Sequence, residues 1–241
     1  MTVSAYGFWS TNDSGEWLLN QDTVTPMLFT KGSFGLAANI GTTPSGLNWY
    51  QHAVSYASGS PTGETLTFMT LPSSTSAVWF QFDGASLNVF CVAGTSYTLP
   101  ELYVFTLQNH ATPTGSYGLQ VFKPDGTVAF DSRLLPMAIT SAPSGASFTN
   151  GTATSLAAGT LPTKPAFLIP SYEYEVWARI GSTSESDVTH YLGTARRDGS
   201  ALYFLALNDG NTTELAILTG SYSYGLASGL AVPVINAALY D

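Results

Sequence analysis

The chain has 241 residues and a mass of 25.5 kDa, with 7 Lys and Arg against 16 Asp and Glu, a formal net charge of −9. Seven scattered cations form no basic stripe, which argues against nucleic-acid binding, and no apolar run reaches the roughly 18 residues of a membrane-spanning helix, so no membrane insertion is expected. Charged residues are only 10% of the chain, against about 25% in ordinary domains, while hydrophobic residues are 44%, aromatics 13%, and Ser and Thr together 57 residues. That composition describes a folded protein with a neutral, hydroxyl-rich surface.

Met1–Tyr6 lacks a basic stretch followed by an apolar one, so no secretory signal is expected. Short runs of β-branched and aromatic residues, bounded by Gly, Pro, Asn, Asp and Ser, then follow along the chain. They are 27–30, 65–71, 77–82, 87–93, 102–107, 119–122, 128–131, 202–207 and 214–219. Cys91 lies in one of them and reads as a small buried hydrophobe. The run 172–180 alternates: Tyr172, Tyr174, Val176, Ala178 and Ile180 on one face, Glu173, Glu175, Trp177 and Arg179 on the other. Helical periodicity is almost absent. The expected fold class is all-β, with antiparallel sheets packed as β-sandwiches of jelly-roll or immunoglobulin type.

An internal repeat refines this. Tyr6-Gly7-Phe8 returns as Tyr117-Gly118-Leu119, an offset of 111. A turn glycine follows each, Gly15 and Gly126; then Trp17 and Leu19 against Val128 and Phe130; then Pro26-Met27 and Pro136-Met137. Further on, Phe82-Asp83-Gly84-Ala85-Ser86-Leu87 matches Arg197-Asp198-Gly199-Ser200-Ala201-Leu202, an offset of 115, with Asp-Gly as the hairpin turn in both. The expectation is two tandem β-sandwich domains from an internal duplication, 1–110 and 115–241, with a Ser/Thr/Gly-rich loop at 141–163 inside the second.

Tyr117-Gly118-Leu119-Gln120-Val121-Phe122, Asp125-Gly126 and Val128-Ala129-Phe130-Asp131-Ser132-Arg133 together resemble the opening hairpin of a family of small proteins encoded among the tail genes of tailed bacteriophages. The resemblance covers Tyr117 to about Arg133; residues 6–27 are a degraded version, with Trp9 in place of Gln120 and Asn20-Gln21 in place of Asp131-Ser132. It implies a structural virion component, synthesised in the host cytoplasm and placed at the tail tip, baseplate or fibres. The implied partners are other phage tail proteins and copies of the chain itself, as a trimer or hexamer. It carries over no catalytic residue.

The residues themselves offer little chemistry. His52, His110 and His190 show no metal-ligand spacing, and no cofactor or metal site is expected. Glu173 and Glu175 fit a wet strand face as well as a glycosidase pair. Asp209-Gly210-Asn211 is only half of a calcium loop. No nucleophile elbow or phosphate loop occurs, so the chain reads as a non-enzyme.

The aromatics remain, as interface anchors or sugar-stacking faces. Trp9, Trp17, Trp49, Trp177, Tyr174 and Tyr222 are the candidates, with core packing as the plainer role for most tryptophans. Three functions follow: an assembly-forming tail component; a module binding a host-surface glycan or protein receptor; and, least supported, a glycan-degrading enzyme.

Overall fold

Strands form where β-branched and aromatic residues alternate, and they turn where glycine supplies a left-handed backbone. The computed structural model describes residues 9–11, 17–20, 25–61, 63–106, 117–123, 126, 128–147, 152–169, 173–179, 185–215, 222–223 and 230–241. Its strands in chain order are β1 (Trp9–Thr11), β2 (Trp17–Asn20), β3 (Met27–Thr42), β4 (Asn48–Tyr56), β5 (Thr65–Met69), β6 (Trp79–Phe82) and β7 (Ser86–Cys91). Then come β8 (Leu102–Thr106), β9 (Gln120–Phe122), β10 (Val128–Asp131), β11 (Ile139–Ser141), β12 (Ser144–Ala146), β13 (Thr154–Ala157) and β14 (Pro165–Phe167). The last are β15 (Glu173–Arg179), β16 (Glu185–Asp198), β17 (Ala201–Leu215), β18 (Tyr222–Ser223), β19 (Leu230–Ala231) and β20 (Val234–Asn236), followed by one 3-10 turn, Ala237–Leu239. The chain is therefore all-β, as expected, with no α-helix among the described residues.

One long antiparallel sheet runs β11-β20-β14-β5-β8-β3-β4-β7-β6-β16, with β17, β13, β15 and β18 attached beyond β16. It folds back on itself at β3. The inner half of that strand pairs with β8 and the outer half with β4. Gly32 sits at the corner, paired with both Leu102 and Tyr56. A Cβ there would lie 3.1 Å from the Leu102 Cβ, so the two layers meet where a side chain would crowd them.

Folding back creates a sandwich. Met69, Leu102, Phe167 and Val234 of the first layer pack with Phe80, Val89, Ala195 and Phe204 of the second in one buried cluster. Alternate residues face outward and are also covered. Phe68, Tyr103, Phe105 and Ile235 lie under Tyr240, whose ring meets Phe105 edge-on at 5.1 Å. Across the molecule Trp79, Phe90, Leu192, Leu205 and Leu207 form a second outer cluster. Three apolar layers thus absorb most of the described aromatic side chains, and Cys91 is buried in the central one.

Several pairings occur twice. In β1–β2, Trp9 faces Asn20, Ser10 faces Leu19 and Thr11 faces Trp17, with a bulge between Ser10 and Thr11. In β9–β10, Gln120 faces Asp131, Val121 faces Phe130 and Phe122 faces Val128, with a bulge between Val128 and Phe130. Every pair shifts by the same 111 residues. Phe82 faces Leu87 in β6–β7, and Arg197 faces Leu202 in β16–β17, the offset of 115. Gly84 and Gly199 close those turns at φ +98 and +55. Strand β8 lies between β3 and β5, and β20 between β11 and β14.

Residues 107–116, the expected boundary, lie outside the described residues. Strands from either side of it join directly: Met69 pairs with Phe167 in β5–β14, and Phe80 with Ala195 in β6–β16. All four side chains enter the central cluster. The 141–163 stretch expected as a loop contributes β12 and β13, and β13 pairs along β17 from Thr154–Phe204 to Ala157–Ala201.

Because the halves share one core, urea denaturation followed by tryptophan fluorescence and by far-UV circular dichroism is expected to give coincident single transitions. Phe167→Ala should lower stability by about 3–5 kcal/mol. Two separated transitions would mean that each half holds its own core.

Candidate functional site

The β9–β10 segment is held by its own side chains. Asp131, 1% exposed, ends β10 directly across from Gln120. Its carboxylate accepts from Gln120 Nε2 at 2.8 Å, from Arg133 Nε at 2.9 Å, from Arg133 Nη2 at 2.5 Å and from the Arg133 backbone N–H at 3.0 Å. Ser132 Oγ accepts from the Leu119 N–H at 2.8 Å, and the Ser132 N–H donates to the Leu119 carbonyl at 2.9 Å. The aliphatic part of Arg133 lies over Gly118: a Cβ there would come within 2.5 Å of the Arg133 Cγ. These contacts account for Gly118, Gln120, Asp131, Ser132 and Arg133 as parts of one lock. The hydrogen bonds from Arg133 hold the Asp131 carboxyl well below the usual carboxylate range, against the opposing effect of burial.

With those groups tied down, apolar side chains face outward. Tyr117 is 94% exposed, Leu119 51% and Phe122 50%. Leu135 and Ile139, next along the chain, are also exposed. The hairpin is anchored to the sandwich by backbone bonds, from the Thr25 N–H to the Ala129 carbonyl at 3.1 Å and from the Met137 N–H to the Pro26 carbonyl at 2.8 Å. It is a rigid ledge bearing aromatic and aliphatic groups, a composition that favours contact with another surface.

The expected anchors fall in different places. Trp49 is half-buried, its ring 5.6 Å from Phe90, and its Nε1 donates to Asn88 Oδ1 at 3.0 Å, so it belongs to the outer cluster. Trp9 and Trp17 stand on β1 and β2, at the register positions matching Gln120 and Val128. Trp177 pairs with Val188 on one side and Tyr222 on the other, and Tyr174 with Tyr191. The backbone thus places Trp177 and Tyr222 side by side on adjacent strands, and puts Glu173 and Glu175 on the same strand. His110 lies outside the described residues.

Sequence reasoning missed the group around Arg196. Its guanidinium lies 4.0 Å from the centre of the Tyr203 ring and 5.2 Å from that of Trp79. Nε and Nη1 are buried without a hydrogen-bond partner among the described residues, so the aromatic faces take the place of acceptors. No sequence spacing signals it, because Trp79 and Tyr203 meet only through the β6–β16–β17 pairing.

His52 is buried, with Nδ1 2.8 Å from the Gly35 carbonyl and Nε2 3.0 Å from the Tyr97 hydroxyl. Near it, Ser73, Ser74, Ser96, Tyr97 and Thr98 line a groove of about 190 Å³, below the roughly 300–1,000 Å³ of small-molecule sites. Among the described residues no three His, Cys, Asp or Glu side chains converge as a metal site would require.

The lock sets a pH dependence. A carboxyl whose folded pKa is depressed contributes stability that is complete above its unfolded value near 3.9 and is lost as the pH falls through the folded one. Protection of the Val121 and Phe130 amides, taken relative to their intrinsic exchange rates at each pH, should therefore fall below about pH 4. Asp131→Asn should produce the same loosening at neutral pH, costing about 1–3 kcal/mol; unchanged protection in that variant would remove the lock from the account. No protein-family model, curated protein or solved structure matches the chain, so the reading of the site rests on its geometry.

Proposed function

We propose that this chain is a structural component of a bacteriophage virion, at the tail tip, baseplate or fibres. It acts by assembly with other tail proteins and with copies of itself. The reading treats it as two copies of one sandwich unit fused edge to edge, a tandem duplication supported by the repeated register at offsets of 111 and 115. The observation that carries the function is the β9–β10 ledge. A partly buried ion pair fixes a hairpin whose outward side chains are Tyr117, Leu119 and Phe122. Apolar groups held rigid before contact lose little entropy on docking. Sparse charge supports the same reading, since surface buried in an assembly needs no charge to stay dissolved. Assembly requires no reacting group, and the reading assigns none.

A second reading, a module for a host-surface glycan or protein receptor, is favoured by the hydroxyl-lined groove at Tyr97. Its size makes it the weaker of the two.

The test is location. An antibody to the chain should label one end of the tail in electron micrographs of intact particles, at a fixed copy number by quantitative mass spectrometry. The triple variant Tyr117→Ser, Leu119→Ser, Phe122→Ser should fold with an unchanged thermal midpoint yet be missing from particles. Particles lacking the wild-type chain would overturn the proposal. Binding of the free chain to host glycans, lost in Tyr97→Ala, would favour the second reading.

A further inference from the structure

The groove beside Tyr97 is lined by no charged side chain among the described residues, although the chain has a formal charge of −9. Its floor is Val78 and Phe80 of the central cluster. Its polar groups have their hydrogen bonding set in advance. His52 Nδ1, 2.8 Å from the Gly35 carbonyl, can only donate to it, so Nε2 of the neutral ring accepts from the Tyr97 hydroxyl at 3.0 Å. The lone pairs of the Tyr97 oxygen are then free to accept. Ser73 and Ser74 have the opposite polarity. Ser73 Oγ accepts from the Gly199 N–H at 2.9 Å and Ser74 Oγ from the Ser76 N–H at 3.1 Å, and neither hydroxyl proton has an acceptor among the described residues. The Ser74 N–H also donates to the Arg197 carbonyl at 3.1 Å, so this wall is tied across the junction of the two halves.

We propose that this groove binds a single neutral sugar ring. A sugar hydroxyl both donates and accepts, so one ring can donate to Tyr97 and accept from the two serines while a C–H face rests on Val78 and Phe80. Volume limits the ligand to one ring: a cavity of about 150 Å³ holds a benzene molecule, and the groove has about 190 Å³. A purely apolar ring would leave the serine protons and the Tyr97 lone pairs desolvated and unpaired. A carboxylate or phosphate finds no cation in the lining, and a cation finds no carboxylate. Groups already fixed by the fold lose little freedom when the ligand arrives. The inference rests on the receptor-module reading of this groove and names its ligand, and it is independent of the β9–β10 ledge.

Saturation-transfer NMR on the full chain, with the methyl glycosides of glucose, galactose and mannose as probes, should show transfer to the ring protons of at least one. A dissociation constant on the order of 1 mM is expected for a ligand of this size. Methyl glucuronide, which adds a carboxylate, should show none. Tyr97→Phe removes the accepting oxygen, and Thr98→Trp fills the mouth from a lining position. Each should weaken binding about tenfold or more, with an unchanged circular dichroism spectrum. No transfer to any of the three glycosides, equal transfer to the glucuronide, or transfer indifferent to both variants overturns the inference. If host glycans bind and are lost in Tyr97→Ala while none of the three glycosides binds, the inference falls and the receptor-module reading stands. If a glycoside binds in the groove but no particle contains the chain, the groove stands and the tail assignment falls.

Discussion

Two backbone junctions hold the architecture together: Met69 against Phe167, and Phe80 against Ala195. Each joins a strand from one half of the chain to a strand from the other, and each sends its side chains into the same central cluster. Without these junctions both halves would end in open strand edges, with half a core exposed. Around them sit smaller ties of the same kind. Arg197 Nε donates to the Leu71 carbonyl at 2.7 Å, and the Gly199 N–H donates to Ser73 Oγ at 2.9 Å. The C-terminus is fastened by Asp241, which accepts from the Tyr103 hydroxyl at 2.7 Å and from Lys164 Nζ at 2.8 Å. Burial opposes the charge on Lys164, but its bonds to Asp241 and Glu101 raise its pKa on balance. The ammonium therefore keeps its charge and its hold on the last strand.

The sandwich geometry also explains why many of the described aromatic side chains are buried. A sheet covered on both faces needs large side chains on alternate positions of the same strand, as with Tyr103 and Phe105 outward and Leu102 inward on β8. Trp49, Trp79 and Tyr203 serve the opposite outer face, where Arg196 lies against the rings of Trp79 and Tyr203. An aromatic in such a protein is first a filler. The ones that stay exposed are informative because the core has not claimed them, and in the ledge these are Tyr117 and Phe122.

How legible this was depends on where the information lies. Hairpins closed by Asp-Gly could be read directly: Asp83 Oδ1 caps the Ala85 and Ser86 N–H groups at 2.9 and 2.6 Å, and Gly84 supplies the positive φ. The alternating run around Trp177 became β15, and 128–131 became β10 without change. The outer half of β3 was not legible. Gly35, Ala37, Ala38 and Asn39 have poor strand propensity, and their conformation comes from pairing with β4. Strands β13, β14 and β20 are short and were hidden for the same reason. At the ledge, the motif residues were visible as a pattern, but their roles needed the register: Gln120 and Asp131 are eleven apart in sequence and directly opposed in space.

The two hairpins of matching register carry different side chains. Their pairs coincide at an offset of 111, but the residues at the lock positions differ. Where the second hairpin has Gln120, Asp131 and Arg133, the first has Trp9, Asn20 and Asp22. Backbone register needs only hydrogen-bonding groups that every residue carries, and it tolerates such exchange. A carboxylate held by one guanidinium is less tolerant, because its hydrogen bonds depend on that one side chain. Gln120, Asp131 and Arg133 are therefore coupled to one another more closely than the backbone pairs beneath them require. The exposed positions beside them, Tyr117, Leu119 and Phe122, can vary without loss of the fold.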